Sequence, residues 1–433
     1  MPKSFYALLI AALLFIGITV GAAATYFSVF PGTYYVRAFK ALTALSLNEK
    51  EKQEEAEEAV AARPKKAVGV LTAVPESMQP GYTLFTSGHD TVAYLLNMDG
   101  SIAHEWSLPF RDVWSDPEHL NNPADDVHFR KARVMPNGDL FAIYEGMWVT
   151  PYGHGMAKMD KDSNLIWKYS APTHHDFGFD PDGNIYVLIH EIRETPYPGL
   201  ENLEAPFIED FIVVLNPDGE EINRISLLEA FVDTPYHTIM ANSSLSSIAL
   251  QGNYTHANTI KFVDKATAEL HPYASEGQVM ISMRDLSMLA LVDLEARKIV
   301  WGQRGPWLTQ HDPDMLPNGN ILLFGNLGDV TDTGRSRVIE FDPMTGAVEW
   351  MYTGTKEKPL SSTIRSSQHR LANGNTLITE SQRGRLFEVQ PDGEIVWEYV
   401  NPFNRKLGEK NVTAFVCWGQ RIMFDEVPFL SAN

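Results

Sequence analysis

LPNGNILLF, residues 316–324, is a tight turn followed by a run of apolar residues. Asn-Gly favours turns whose central residues have positive φ, which makes it a strong hairpin signal. The same unit recurs as MPNGDLFAI (135–143), DPDGNIYVL (180–188) and LANGNTLIT (371–379). A second unit is an acidic turn leading into a short strand that usually ends in tryptophan. It reads MDGSIAHEW (98–106), MDKDSNLIW (159–167), NPDGEEINRI (216–225), DLEARKIVW (293–301), DPMTGAVEW (342–350) and PDGEIVWEY (391–399). These are six copies, at Trp106, Trp167, near Ile222, and at Trp301, Trp350 and Trp397, spaced from 47 residues (Trp350 to Trp397) to about 60, apart from the longer step of 79 from Ile222 to Trp301. Each repeat holds about four short strands, the content of one β-propeller blade. A strand near Tyr82–Phe85 and another within Val412–Phe424 are placed to close the ring. The regular tryptophan favours a propeller over a β-sandwich or a solenoid.

The 433 residues carry 55 Asp+Glu against 35 Lys+Arg, a formal net charge of −20. An acidic chain of this kind is a poor partner for nucleic acid, which is held by Lys and Arg. Hydrophobic residues make up 44%, enough to build a core. The single cysteine, Cys417, excludes an intramolecular disulfide and any multi-cysteine metal site. It lies in the apolar run Phe415–Trp418 and reads as core.

Phe5 to Phe30 is almost wholly apolar and uncharged, long enough to span about 30 Å of hydrocarbon as a helix. The run exceeds the roughly 7–15 apolar residues of a cleavable signal peptide, although Ala22, Ala23 and Ala24 offer small residues for a cut. Residues 46–66 are rich in Glu, Lys and Ala and favour a solvated helix that Pro64 stops. The expected organisation is a transmembrane signal anchor over 1–36, a charged helical spacer over 37–79, and an all-β, six-bladed β-propeller over 80–433. The propeller is expected on the periplasmic or extracytoplasmic side of the membrane.

In a propeller the first strand of each blade lines the central channel. His175 stands six residues before Pro181, and His311 six before Pro317, so the two occupy equivalent places in two blades. Between them His256 begins the strand of HANTIKF, whose hairpin returns through QVMISMR. His175, His256 and His311 are therefore expected at one channel mouth. Arg284 ends the antiparallel return strand and comes back to the same mouth. Asn258, two residues beyond His256, shares its face by the period of two. His128 and His369 also precede turns, but at other offsets, and His174 faces away if the strand is extended. His104, His119, His154, His190, His237 and His271 read as structural or surface residues.

Three imidazoles can hold zinc or iron. Asp176 and Asp312 each follow a histidine directly, however, and in extended geometry point away. An arginine would also repel a dication. Arg, His and Asn together suit an oxyanion such as sulfate, phosphate or carboxylate. A neutral imidazole can act as a nucleophile toward such a group.

HHDFGFDPDGN (174–184), THANTIKF (255–262), MRDLSMLALVD (283–293), QHDPDMLPNGNILLFGN (310–326) and LANGNTLITESQRGRLFEVQPDGEIVWEYVNP (371–402) together resemble the bacterial arylsulfate sulfotransferases that work without nucleotide sulfate donors. The likeness covers about residues 80–425. The resemblance implies a six-bladed propeller and ping-pong transfer of a sulfuryl group from a phenolic sulfate ester to a phenol through a sulfohistidine, without a cofactor. By the same resemblance His311 matches the nucleophile. His256 and Asn258 match the His-x-Asn that holds the sulfuryl oxygens, Arg284 the arginine that stabilises them, and His175 a proton carrier for the phenolic oxygen. None of the five is thereby a metal ligand. The chain departs from the family in three ways. The best-known members carry an extra N-terminal β domain. The loop after NILLF reads GNLGD in place of DNG. Extra residues, 264–277, lie between His256 and Arg284. Two other classes fit the same funnel: a non-catalytic propeller that captures an anion or peptide, and a metal-dependent hydrolase using the histidine cluster.

Overall fold

The computed structural model describes residues 3–27 and 29, then 68–120, 123–124, 126–147, 149, 152–243, 252–326, 336–407 and 410–431. The chain divides into two compact units, Met1–Glu54 and Glu55–Asn433. In the first, Lys3–Tyr26 forms one α-helix. Among the described residues no helix is long and apolar enough to cross a membrane. The charged helix expected at 46–66 lies outside the described residues.

The second unit is built from six antiparallel blades of four strands, one of them extended by a fifth, and in blades 2 to 5 the strands follow sequence order from the inside outward. Blade 2 runs Val127–Val134, Leu140–Gly146, Gly153–Met159, Leu165–Tyr169. Blade 3 runs Thr173–Phe179, Ile185–Arg193, Phe207–Leu215, Glu221–Ser226. Blade 4 runs Ala257–Phe262, Val279–Met283, Met288–Asp293, Lys298–Arg304. Blade 5 runs His311–Met315, Ile321–Gly325, Arg337–Phe341, Val348–Tyr352, and blade 6 Ser367–Arg370, Thr376–Glu380, Arg385–Val389, Ile395–Val400. Blade 1 is composite. Its three outer strands, Tyr82–Ser87, Val92–Leu96 and Ile102–Ser107, begin the propeller, and its inner strand, Val416–Ile422, ends it. The inner strands touch their neighbours in a closed cycle, blade 1 to blade 6 and back to blade 1. The sheet-on-sheet and solenoid alternatives are thereby excluded.

The turn glycines do what the sequence requires of them. Gly138, Gly183, Gly319 and Gly374 all have φ between 84° and 91°, which a side chain would strain. The apolar faces of neighbouring blades pack together, and each of the six gaps holds one buried cluster. Tryptophans of three fourth strands tie their blade to the next. The indole N–H of Trp106 donates to Gly138 O (2.9 Å), that of Trp350 to Pro391 O (2.8 Å), and that of Trp397 to Met98 O (2.9 Å). Cys417 is buried on the closing strand, and burial pushes its thiol up to about 12.

One boundary differs from the sequence reading. Gly69–Ala73, assigned to the spacer, is a strand that pairs with Ile395–Val400 and makes blade 6 five-stranded. It covers an outer edge that would otherwise present unpaired backbone groups.

Ring closure also contains a buried ion pair. Arg421 on the closing strand meets Glu388 of blade 6 at 3.0 Å, with both side chains at most 1% exposed. Glu388 also accepts from Gln79 N and Asn375 Nδ2, each at 2.7 Å. Glu388→Ala leaves a buried guanidinium without its carboxylate, a loss of about 3–5 kcal/mol. Urea unfolding should show a clearly lower midpoint with an unchanged slope. An unaltered midpoint would show that the pair is dispensable for closure.

Candidate active site at the channel mouth

The inner strands of blades 3, 4 and 5 all break their regular pairing where the expected site residues lie. In blade 3, His174 pairs with Leu188 and Phe177 with Val187, so His175 and Asp176 bulge out. In blade 4, Ala257 and Thr259 pair with the adjacent Met283 and Ser282, leaving Asn258 over. In blade 5 the shift falls between His311 and Asp314. His175, His256 and Asp312 have φ of 55°, 48° and 48°. Left-handed non-glycine residues cost free energy and concentrate at functional sites. Bulges re-aim side chains, and here they turn polar ones toward the channel.

This placement brings the five sequence-assigned residues to neighbouring positions. The ring of His175 lies 5.3 Å from His256 and 6.3 Å from His311, centroid to centroid. The backbone N–H of Arg284 donates to His256 O at 3.1 Å, which fixes the arginine beside that histidine. Asn258 is buried, and its amide donates to Gln310 O at 2.7 Å. The side chains of His256 and Arg284 are 19% and 17% exposed, whereas His175 and His311 are nearly sealed. The more open side of the site is therefore the side of His256 and Arg284.

His311 is held in one tautomer. Asn326 is fully buried, and its amide nitrogen donates to the carbonyls of Ser362 and Arg365, both at 2.8 Å. Its Oδ1 must then face His311 Nδ1, 2.7 Å away, so that Nδ1 donates and carries the ring proton. Nε2 keeps its lone pair. Burial, reinforced by the charges of Arg284 and Arg130, holds the His311 imidazole well below its usual range and leaves it neutral.

His256 Nδ1 meets Asn253 Nδ2 at 2.9 Å and lies 3.5 Å from Asp285 Oδ2. Arg284 Nη1 donates to Asp285 Oδ1 at 2.7 Å, and its other N–H groups are not used in that bond. Burial would raise the Asp285 carboxyl, but His256 and Arg284 outweigh it and keep the group below its usual range. Glu145 of blade 2 accepts from the His175 backbone N–H at 2.7 Å, which supports the left-handed turn there. His175 Nδ1 lies 2.9 Å from His174 Nδ1. Burial, then Arg130 and the neighbouring histidines, holds His175 well below the usual range.

Two orientations differ from the sequence reading. Asp176 and Asp312 do not point away but line the channel with His175 and His311, because the bulges cancel the alternation that would have turned them outward. Asp176 pairs with Lys131, while Lys261 is shared by Asp312 and Asp314, each at 2.9 Å. The carboxylates are thus spent on lysines. The space enclosed at this level is about 10 Å³, room for roughly one water. His174 is not among the residues that line this space and packs between His175 and His190. The three funnel histidines do not form a metal-ligand group. Among the described residues the one such group is His174, His190 and Asp210.

Arg130, Asn326, Asp285 and Glu145 escaped the sequence reading. Asn326 directly follows the strand that pairs with that of His311, and Arg130 lies three residues into the inner strand of blade 2. Neither belongs to the repeated turn that aligned the histidines. The extra residues 264–277 form the hairpin at the other end of the His256 strand, with a short helix Lys265–Leu270 capped by Asp264. His271 of this hairpin contacts Leu316 O at 3.0 Å, in the first turn of blade 5. The insertion therefore extends the face opposite the site.

A family model described as Arylsulfotransferase (ASST) matches residues 131–402, more than half of the chain, a span within which the five site residues lie. No curated protein matches the sequence. Similar solved structures include a Bacteroides caccae protein of unknown function, 12% identical over 78% of this chain and 99% of that one (TM-score 0.49). A streptogramin B lyase is 12% identical over 79% and 84% (TM-score 0.41), and a virginiamycin B lyase from Staphylococcus aureus is 10% identical over 79% and 88% (TM-score 0.40). Likenesses this distant carry no argument about chemistry, and the propeller rests on the strand pairing above.

Buried neutral histidines make stability depend on pH. His128 is fully enclosed with neither ring nitrogen hydrogen-bonded, and burial followed by Arg365, Arg405 and Arg130 holds it well below its usual range. His175 and His311 are shifted the same way. An unfolded histidine titrates near ~6.5, so the unfolded state takes up protons first. The stability is fully present above about pH 6.5 and is lost as pH falls toward the lowered folded values. The melting temperature should drop steadily from about pH 7.5 to about pH 5. His128→Phe, which loses no hydrogen bond, should flatten that slope. An unchanged slope would mean that His128 is already charged in the fold.

Proposed function

The chain belongs to the arylsulfotransferase family, and from that premise we propose that it moves a sulfuryl group from a phenolic sulfate ester to a phenol through a sulfohistidine at His311. The observation that carries this reading is the bond between His311 Nδ1 and Asn326 Oδ1. It leaves a buried Nε2 lone pair on a neutral imidazole with guanidinium groups nearby.

In the first half-reaction Nε2 attacks sulfur and the bond from sulfur to the aryl oxygen breaks. Arg284, His256 and the second amide N–H of Asn258 are the donors for the sulfuryl oxygens. Charge-assisted donors of this kind act most strongly where water is excluded. Resting His175 is neutral and takes one proton from solvent as the anionic sulfate ester binds, because the negative charge favours the protonated imidazole. His175 can then hand its proton to the departing aryl oxygen. In the second half-reaction the acceptor hydroxyl attacks the same sulfur, the N–S bond breaks, and His175 takes the acceptor's proton. The enzyme returns to its starting state.

Incubation with 4-nitrophenyl sulfate, with and without a phenol, tests the reading. Nitrophenol release should depend on the acceptor and vanish in His311→Ala. Arg284→Met should lose about 10²–10³ in kcat. Asn326→Leu, which frees the tautomer, should lower kcat with little change in KM. Donor alone should leave one sulfuryl group on His311, visible by peptide mass. A folded protein inert toward several aryl sulfates would instead support a propeller that binds anions without turnover.

The N-terminal segment is read as a membrane anchor with the propeller on the extracytoplasmic side, on the strength of the uncharged run from Phe5 to Phe30. The full chain should stay in the membrane fraction after alkaline carbonate extraction. Complete release into the soluble fraction would remove this assignment.

A further inference from the structure

We propose that His174, His190 and Asp210 form a buried binding site for a first-row divalent transition ion such as zinc, inside blade 3 and directly behind His175. The three residues come from consecutive strands of one sheet, and His190 and Asp210 are direct cross-strand partners. One ligand atom from each lies within 4.8 Å of the other two, and all three residues are at most 1% exposed. The imidazoles of His174 and His190 are stacked at 4.4 Å.

Three unsatisfied atoms carry the inference. His174 Nε2, His190 Nδ1 and Asp210 Oδ1 are buried and make no hydrogen bond. Buried polar atoms are otherwise nearly always paired. His174 Nε2 and Asp210 Oδ1 stand 3.5 Å apart, too far for a good N–H···O bond and close enough to share an ion. The outward atoms, by contrast, are already tied. Asp210 Oδ2 accepts from Thr255 Oγ1 at 2.5 Å and from Ala257 N at 2.8 Å, and His174 Nδ1 is bonded to His175 Nδ1. Metal-binding side chains are typically oriented by outer contacts of this kind.

Charge points the same way. Asp210 is a buried carboxylate whose one ion-pair neighbour, among the described residues, is His174. A buried carboxylate requires a compensating cation. Two imidazoles and one carboxylate suit zinc or ferrous iron, whereas magnesium and calcium take oxygen sets. Coordination by His190 Nδ1 places that ring's proton on Nε2, and the long contact from Gly153 N (3.2 Å) is then given up.

The test does not depend on sulfuryl transfer. The purified full chain is stripped with chelator and checked for fold by circular dichroism. It is then titrated with Zn²⁺ and, separately, with Co²⁺, whose absorption reports ligand geometry. Wild type should bind about one tightly held ion, and Asp210→Asn and His190→Gln should each weaken binding at least about tenfold while retaining the β spectrum. Folded wild type that binds no ion, or binds it as tightly as both variants, would overturn the proposal. If His190→Gln does not fold, Asp210→Asn alone decides between these outcomes.

Discussion

Everything at the channel mouth depends on the pairing of Val416–Ile422 with Tyr82–Ser87. The last strand of the chain becomes the inner strand of the first blade, and only then do six inner strands form a cycle. Arg130 shows the coupling directly, since its guanidinium donates to Cys417 O on the closing strand at 2.9 Å. Arg365 and Arg405 of neighbouring elements lie over the ring of Phe415, at 4.1 and 4.6 Å. An open ring would lose the burial, and with it the basic wall, that keep His175 and His311 neutral. Because these pairings join residues far apart in sequence, closure belongs to the slow, non-local class of folding events.

The site itself is made by departures from regular strand geometry. Three bulges and three left-handed residues are concentrated at one level of the inner strands, and each is held by polar groups from a neighbouring element. Glu145 holds the backbone of His175, and Asp210 holds that of Ala257, beside His256. Thr259 Oγ1 accepts from the backbone of Asp312 at 3.0 Å. Strain of this kind persists only where the surroundings over-determine it. The acidic chain, with its net charge of −20, thus encloses a small chamber lined by Arg130, His175 and His311, whose carboxylates Asp176 and Asp312 are paired with Lys131 and Lys261.

The fold was legible because it repeats. Asn-Gly and Asp-Gly turns or a strand-ending tryptophan mark every blade with local chemistry, and their count already implied six. His175 and His311 were legible for the same reason, each standing at a fixed distance before a turn. The period-two rule failed at Asp176 and Asp312, because a bulge and a positive φ reverse the face without leaving a mark in the residue types. Asn326 and Glu145 were hidden because each acts on a histidine from another strand. Gly69–Ala73 was hidden behind a charged stretch that resembles a spacer, and its place is set by an edge more than three hundred residues later. His190 read as a bland structural residue, since its significance lies in a cross-strand partner and not in its own neighbourhood.

The strand Gly69–Ala73 also settles how the propeller would bear a load. The chain enters the ring at the outermost edge of blade 6, where Gly69 pairs with Val400 and Ala73 with Trp397. A pull on the preceding segment therefore acts first on this short antiparallel pair, the strand farthest from the channel. It would peel as a mechanical fuse, leaving the four-stranded blade and the inner ring intact. Tension, shear flow or proteolysis near residue 69 would then be absorbed at the rim before it reached His311.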